Sequence, residues 1–225
     1  EQRIRATDFA QTADGTLWVG GARLWLVNRD NTIKPAPFFK RPIEHMTATG
    51  DVLWLVDMQH TLTIYVNDRL QSVESPLLAS RTITDVEGLA DRAYIVAGGE
   101  IVEARVTPSG DIQLAKMPAL PAPGLSITQT NQNALIAVAD DGLVYRIHPG
   151  RDEHWEALPI PERLPVDSGQ LVTEWKSDRL WIGTTTGGLH ALWPTLIDRE
   201  APDTDFAQAR VWSFFADDTV YATTD

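Results

Sequence analysis

The stretch Asp178–Leu192, DRLWIGTTTGGLHAL, sets an apolar, β-branched and aromatic run before a turn of small residues, and a second such run after it. That is the composition of two short strands joined by a tight connection. Asp14–Trp25 (DGTLWVGGARLW) and Asp51–Ile64 (DVLWLVDMQHTLTI) repeat the pattern. A chain that restates one hairpin at intervals is read for its period before its individual elements.

The runs centre on Trp18, Trp54, Ile95, Ala137, Trp181 and Tyr221 and recur about every 40 residues. Turn residues keep phase with them. Asp14-Gly15, Gly50-Asp51, Ala90-Asp91, Asn131 to Asn133, Ser177-Asp178 and Asp217-Asp218 precede the runs. A further set, at Asn28 to Asn31, Asn67-Asp68, Pro108 to Gly110 and Pro149-Gly150, follows the third strand of four units. Gly, Asn and Asp suit such places because they accept positive φ or bond their own backbone. Alternation with period two, as at Leu62, Ile64 and Val66, excludes a helical reading. Each unit therefore reads as four short antiparallel strands, the pattern of a β-propeller blade.

The expected fold is all-β, with five complete blades and half of a sixth, at about 4–39, 40–77, 78–118, 119–160, 161–203 and 204–225. PALPAPG, Pro118–Gly124, falls between the third and fourth units and reads as an inter-blade loop. A half blade exposes unpaired strand edges, so the chain is expected to be a fragment of a longer propeller or an arc completed by another polypeptide.

DGTLWVGG, DRLWIGTTTGGLHAL and DDTVYATTD resemble the repeats of two-component regulator propellers. The first and fifth units match best. The second keeps LWLV but has Asp57 where a small residue is usual, and the third and fourth replace the Trp with YIVAGG and IAVADDGL. Streptogramin-lyase-like and quinoprotein-like propellers have similar weak repeats. The first resemblance implies a non-catalytic, extracytoplasmic or periplasmic sensor domain of a bacterial signalling protein, with a membrane helix and output module outside this chain.

Composition narrows the function classes. With 19 Lys and Arg against 31 Asp and Glu, a net charge of -12 argues against a nucleic-acid binder, which needs clustered cations. The absence of cysteine removes disulfides and thiolate metal sites. The opening EQRIRATDFA has no apolar run of signal-peptide type. No phosphate loop, nucleophile elbow or HExxH spacing occurs, so no catalytic residue, metal or cofactor is expected.

Candidate ligand-binding residues come from two positions of the repeat. Eleven residues ahead of the centres stand Thr7, Ile43, Thr84, Ser126, Gln170 and Arg210, a mostly polar column expected near the mouth of a central channel. The turns between second and third strands add His60, Glu100 and Asp141. The repeated Trp18, Trp54 and Trp181 are read as packing between sheets. The expected partner is a small molecule or glycan, with a second copy or another protein as further possibilities. Two alternatives stand beside the sensor: a protein-interaction scaffold, and a metal-dependent lyase resembling streptogramin lyases, for which His60, Glu100 and Asp141 are the available trio.

Overall fold

The computed structural model describes residues 5–224 apart from 29–31, 131–132, 161–163, 165–170, 176–178, 185–187, 194–195, 199–210 and 217–219. For 171–179 and 184–224 the description is of the backbone. The described residues contain strands and no helix.

Five four-stranded sheets and one strand pair follow in chain order. The first comprises β1 (Ala6–Gln11), β2 (Leu17–Gly21), β3 (Trp25–Val27) and β4 (Ile33–Pro35). The second comprises β5 (Ile43–Thr49), β6 (Val52–Asp57), β7 (Leu62–Val66) and β8 (Arg69–Ser72). The third comprises β9 (Ile83–Leu89), β10 (Arg92–Ala97), β11 (Glu100–Val106) and β12 (Ile112–Lys116). The fourth comprises β13 (Gly124–Gln129), β14 (Leu135–Ala139), β15 (Val144–Ile147) and β16 (Glu156–Ala157). The fifth comprises β17 (Leu171–Trp175), β18 (Arg179–Thr184), β19 (Gly188–Trp193) and β20 (Leu196–Asp198). The pair is β21 (Val211–Ala216) with β22 (Val220–Thr224). Strand order within each sheet is sequential. The PALPAPG segment bridges β12 and β13.

Turn chemistry sets these hairpins. Asn67 and Asp68 take φ of 49° and 60° between β7 and β8, the two-residue turn whose twist matches the flanking strands. Gly50 performs the same service between β5 and β6 at φ 58°, and Ala90 between β9 and β10 at φ 58°.

The chain forms two compact units: 1–97 with 102–116, and 98–101 with 117–225. In the first, β6 is apolar on both faces because it is covered on both. Leu53 and Leu55 enter a cluster with Ala10, Trp18, Ile43 and Met46, whereas Trp54 and Val56 enter one with Val86, Ala93 and Ile95. Period two sends successive residues to opposite faces, so a run such as LWLV serves two interfaces at once. In the second unit, Ile136, Val138 and Val144 pack with Leu164, Leu180 and Ile182.

Trp18, Trp54 and Trp181 are all buried, as packing residues must be. Trp54 is fully buried and its Nε1 donates to Thr49 Oγ1 at 2.8 Å. Trp155 is buried too, its Nε1 donating to the Pro118 carbonyl at 2.9 Å. Strand pairing corrects the repeat centres of two units. Tyr94 and Ile136, one residue before Ile95 and Ala137, hold the register positions of Trp18 and Trp54.

Candidate functional site

In the first unit β1 lies against β5, and β5 against β9. Each of these first strands has a register break near its start, between Ala6 and Asp8, between Ile43 and His45, and between Ile83 and Asp85. Thr7, Glu44 and Thr84 are the extra residues. A bulge bends its strand and re-aims the side chains beside it, which is how a packed sheet spares residues for a site.

Asp8 and Asp85 follow their bulges and repeat one local device. Each Oδ1 accepts the N–H of the next residue, Phe9 at 2.7 Å and Val86 at 2.8 Å. Asp8 Oδ2 also accepts the Met46 N–H at 2.7 Å, tying β1 to β5, while His45 Nδ1 stands 3.8 Å from Asp85 Oδ1, joining β5 to β9. Burial pushes the Asp8 carboxyl up to about 7, against the opposing pull of His45 and the two amide donors. Burial, together with the charges of Asp85 and Asp8, holds Glu87 well above the ordinary carboxyl range. Close strand packing makes the burial possible: a Cβ on Gly88 would stand 2.6 Å from the Ala48 carbonyl oxygen, and the Gly88 N–H donates to Thr47 Oγ1 at 2.9 Å.

A second group forms at the adjoining turn. His60, between β6 and β7, has a φ of 57°. Its Nδ1 is 3.0 Å from the Ile83 carbonyl oxygen and 3.4 Å from Glu44 Oε2. A carbonyl only accepts, so Nδ1 carries a hydrogen and donates it to Ile83. Glu44 Oε2 and Thr84 Oγ1 are shielded from solvent and make no hydrogen bond. Asp57, the departure from the small-residue repeat, holds this turn. Its Oδ1 accepts the Gln59 and Thr61 N–H groups at 2.9 and 3.0 Å, and its Oδ2 faces Arg41 at 2.5 Å. Arg41 in turn donates to Thr63 Oγ1 at 3.0 Å.

The sequence-derived candidates are distributed as follows. His60 and Thr84 come to one neighbourhood, since His60 bonds the carbonyl of the residue before Thr84. Thr7 Oγ1 donates to the Ile43 carbonyl at 2.7 Å and thereby joins two strands. Ser126 lies in the second unit, 1% exposed, its hydroxyl without a hydrogen-bond partner. Glu100 is exposed at the start of β11. Both Asp141 oxygens close its own hairpin, accepting the Leu143 N–H at 3.0 Å and the Tyr145 hydroxyl at 2.7 Å. Gln170 and Arg210 lie outside the described residues. Among the described residues no three His, Asp or Glu side chains are arranged to hold a metal ion.

The fixed offset behind the polar column does not select equivalent positions. Thr7 and Thr84 are bulge residues, Ile43 precedes its bulge and Ser126 follows one. Two causes combine: the first and fourth turns span 12–16 and 130–134 but the second and third only 50–51 and 90–91, and the offsets in the third and fourth units start from Ile95 and Ala137, one residue beyond the equivalents of Trp18 and Trp54. Asp8, Glu44, His45, Asp85 and Glu87 were missed by that offset. Their signal was the repeated Thr-Asp-apolar triplet at Thr7–Phe9 and Thr84–Val86, with Glu44-His45 in the same phase between them.

Solved structures resemble nearly the entire chain. The WD40 β-propeller domain of Doa1 covers 96% of it, and 75% of its own chain is covered, with a TM-score of 0.69 and 8% identity. The fold is a β-propeller. Virginiamycin B lyase from Staphylococcus aureus matches with a TM-score of 0.71 and 17% identity over 99% of this propeller and 78% of the lyase chain. The extracellular domain of the hybrid two-component system BT4673 from B. thetaiotaomicron matches with a TM-score of 0.68 and 17% identity over 100% of this propeller. This propeller spans 31% of that BT4673 chain. What is shared at these identities is the fold. No protein-family model matches the sequence, and no curated protein matches it.

Proposed function

We propose that this propeller is a non-catalytic ligand-recognition domain, the extracytoplasmic part of a bacterial signalling protein, and that it takes its ligand at the Glu44–His60–Thr84 turn. The observation that carries this reading is the oriented His60. Its Nδ1 is hydrogen-bonded to the Ile83 carbonyl and stands 3.4 Å from Glu44 Oε2, which, like Thr84 Oγ1, is shielded and makes no hydrogen bond. A side chain so held has already lost its rotamer freedom, so a ligand need not supply that ordering. Likeness to the BT4673 extracellular domain favours the signalling context. Binding at a junction of adjacent blades biases their packing, and differential affinity for two packings is what transmits a signal.

The test is a thermal-shift screen of small solutes and glycans on the chain and on His60→Ala. A ligand present at about 100 times its Kd stabilises by about 2.7 kcal/mol. That gain is expected to vanish in His60→Ala while unliganded stability stays within about 1 kcal/mol. Ligands whose stabilisation survives the substitution would move the site elsewhere.

A further inference from the structure

Strands β1, β5 and β9 bring three carboxyls and one imidazole into electrostatic range: Asp8 on β1, His45 on β5, and Asp85 and Glu87 on β9. We propose that this group is a proton-operated clasp between the second and third blades, closed while it holds protons and loosened when it gives them up. It governs the turn of His60, whose ring reaches across the same seam to the Ile83 carbonyl. That regulation, unlike the clasp itself, rests on reading the turn as the ligand site.

The seam has little slack. Its links are His45 Nδ1 to Asp85 Oδ1 at 3.8 Å, the Gly88 N–H to Thr47 Oγ1 at 2.9 Å, and His60 Nδ1 to the Ile83 carbonyl at 3.0 Å. Asp8 Oδ2 accepts the Met46 N–H at 2.7 Å, which holds that carboxyl against the residue after His45. A Cβ on Gly88 would stand 2.6 Å from the Ala48 carbonyl oxygen, so a counter-ion has no room between the strands there. His45 can balance one of the three carboxyls. Other charges on the adjoining elements are engaged elsewhere: β2 carries none, Asp57 of β6 pairs with Arg41, and Arg92 of β10 pairs with Glu103. Arg81, ahead of β9, reaches the Ala97 carbonyl, and Glu44, in the β5 bulge, has His60 as its neighbour. Full ionisation therefore sets like charges on both sides of β5, where poor solvation strengthens their repulsion. Burial pushes Asp8 up to about 7, against the pull of His45, and holds Glu87 well above the ordinary carboxyl range. The folded arrangement binds these protons more tightly than the unfolded chain does, so the clasp is closed below about 7 and opposed by charge above it.

The test follows the full chain from about pH 5 to about pH 9 without ligand, by hydrogen exchange at the Gly88 amide and by NMR of the His60 imidazole. Gly88 protection, corrected for the intrinsic pH dependence of exchange, is expected to fall about tenfold or more across neutrality, while β14 amides in the fourth blade keep theirs. Asp8→Asn combined with Glu87→Gln imitates the protonated group without its titration and is expected to hold Gly88 protection level. The same variant reports the His60 ring's own titration, and the unaltered chain is expected to depart from that curve near 7. Gly88 protection that does not change with pH, or that falls only in step with β14, would overturn the clasp in the unaltered chain. A loss that survives the double substitution would overturn its assignment to these carboxyls. Loosening at Gly88 with superimposable His60 curves would overturn the regulation of the turn and leave the clasp standing. Because no ligand enters, failure of the ligand site is read separately, in the screen above.

Discussion

The second and fourth blades follow one plan and differ where their first strands bulge. At equivalent register the second has Glu44 and His45, and the fourth has Leu125 and Ser126. Behind those positions the second packs a fully buried Trp54 and the fourth the smaller Ile136, 2% exposed. The second blade's next turn is organised by Asp57, hydrogen-bonded to two amides and ion-paired to Arg41, and the fourth's by Asp141, which bonds Leu143 and Tyr145. One architecture thus tolerates a charged, oriented group or a nearly apolar one at the same place. The repeat specifies the sheet, and the residues at the bulge vary in chemistry from blade to blade.

Core truncation tests the packing half of this contrast. Trp54→Ala is expected to cost about 4 kcal/mol in urea unfolding, against about 3 kcal/mol for Ile136→Ala, since the larger side chain leaves the larger cavity. Equal costs would mean that the two blades are supported alike. The electrostatic half is read from pH. Asp8 titrates near 7 in the folded protein and near the ordinary carboxyl value of 3.8 when unfolded. Between those values the folded chain holds a proton that the unfolded chain has released, so raising the pH removes stability. The contribution is full below about 4 and gone above about 7, on the order of a few kcal/mol. Glu87 acts in the same sense. Asp8→Asn is expected to flatten the slope, and no substitution in the fourth blade is expected to alter it.

Asp57→Ala is expected to cost about 2 kcal/mol, since two amides lose their acceptor while Arg41, 43% exposed, is able to turn to water. The same variant should broaden the His60 imidazole signals. The smallest effect belongs to the fourth blade: Ser126→Ala removes a buried hydroxyl that bonds nothing and is expected to be neutral or stabilising by up to about 1 kcal/mol. A loss above that amount would reveal a role for Ser126 that its surroundings do not explain.

Much of the blade plan was legible because it is local. Period-two alternation, Trp18 and Trp54 in phase, and turn pairs such as Gly50-Asp51 and Asn67-Asp68 each act over a few residues, so their meaning survives in one dimension. His60 and Thr84 were legible as polar residues near expected turns. Their meeting was not, because it depends on how far each hairpin's turn shifts the strands it joins, and the second and third turns are shorter than the first. Glu44 was hidden for the same reason: a bulge is a mismatch between two strands, and neither strand alone contains it.

The sequence by itself determined that this chain repeats a four-stranded sheet and buries aromatic and aliphatic residues between successive copies, since strand period and turn conformation are properties of neighbouring residues. Only the tertiary structure decided that Asp57 holds the turn of His60, that Glu44 stands beside that ring, and that Asp8 and Glu87 keep their protons to unusually high pH. Those outcomes come from pairings across strands and from the loss of water around them, and the Coulomb and desolvation energies involved depend on distance and burial rather than on position in the chain.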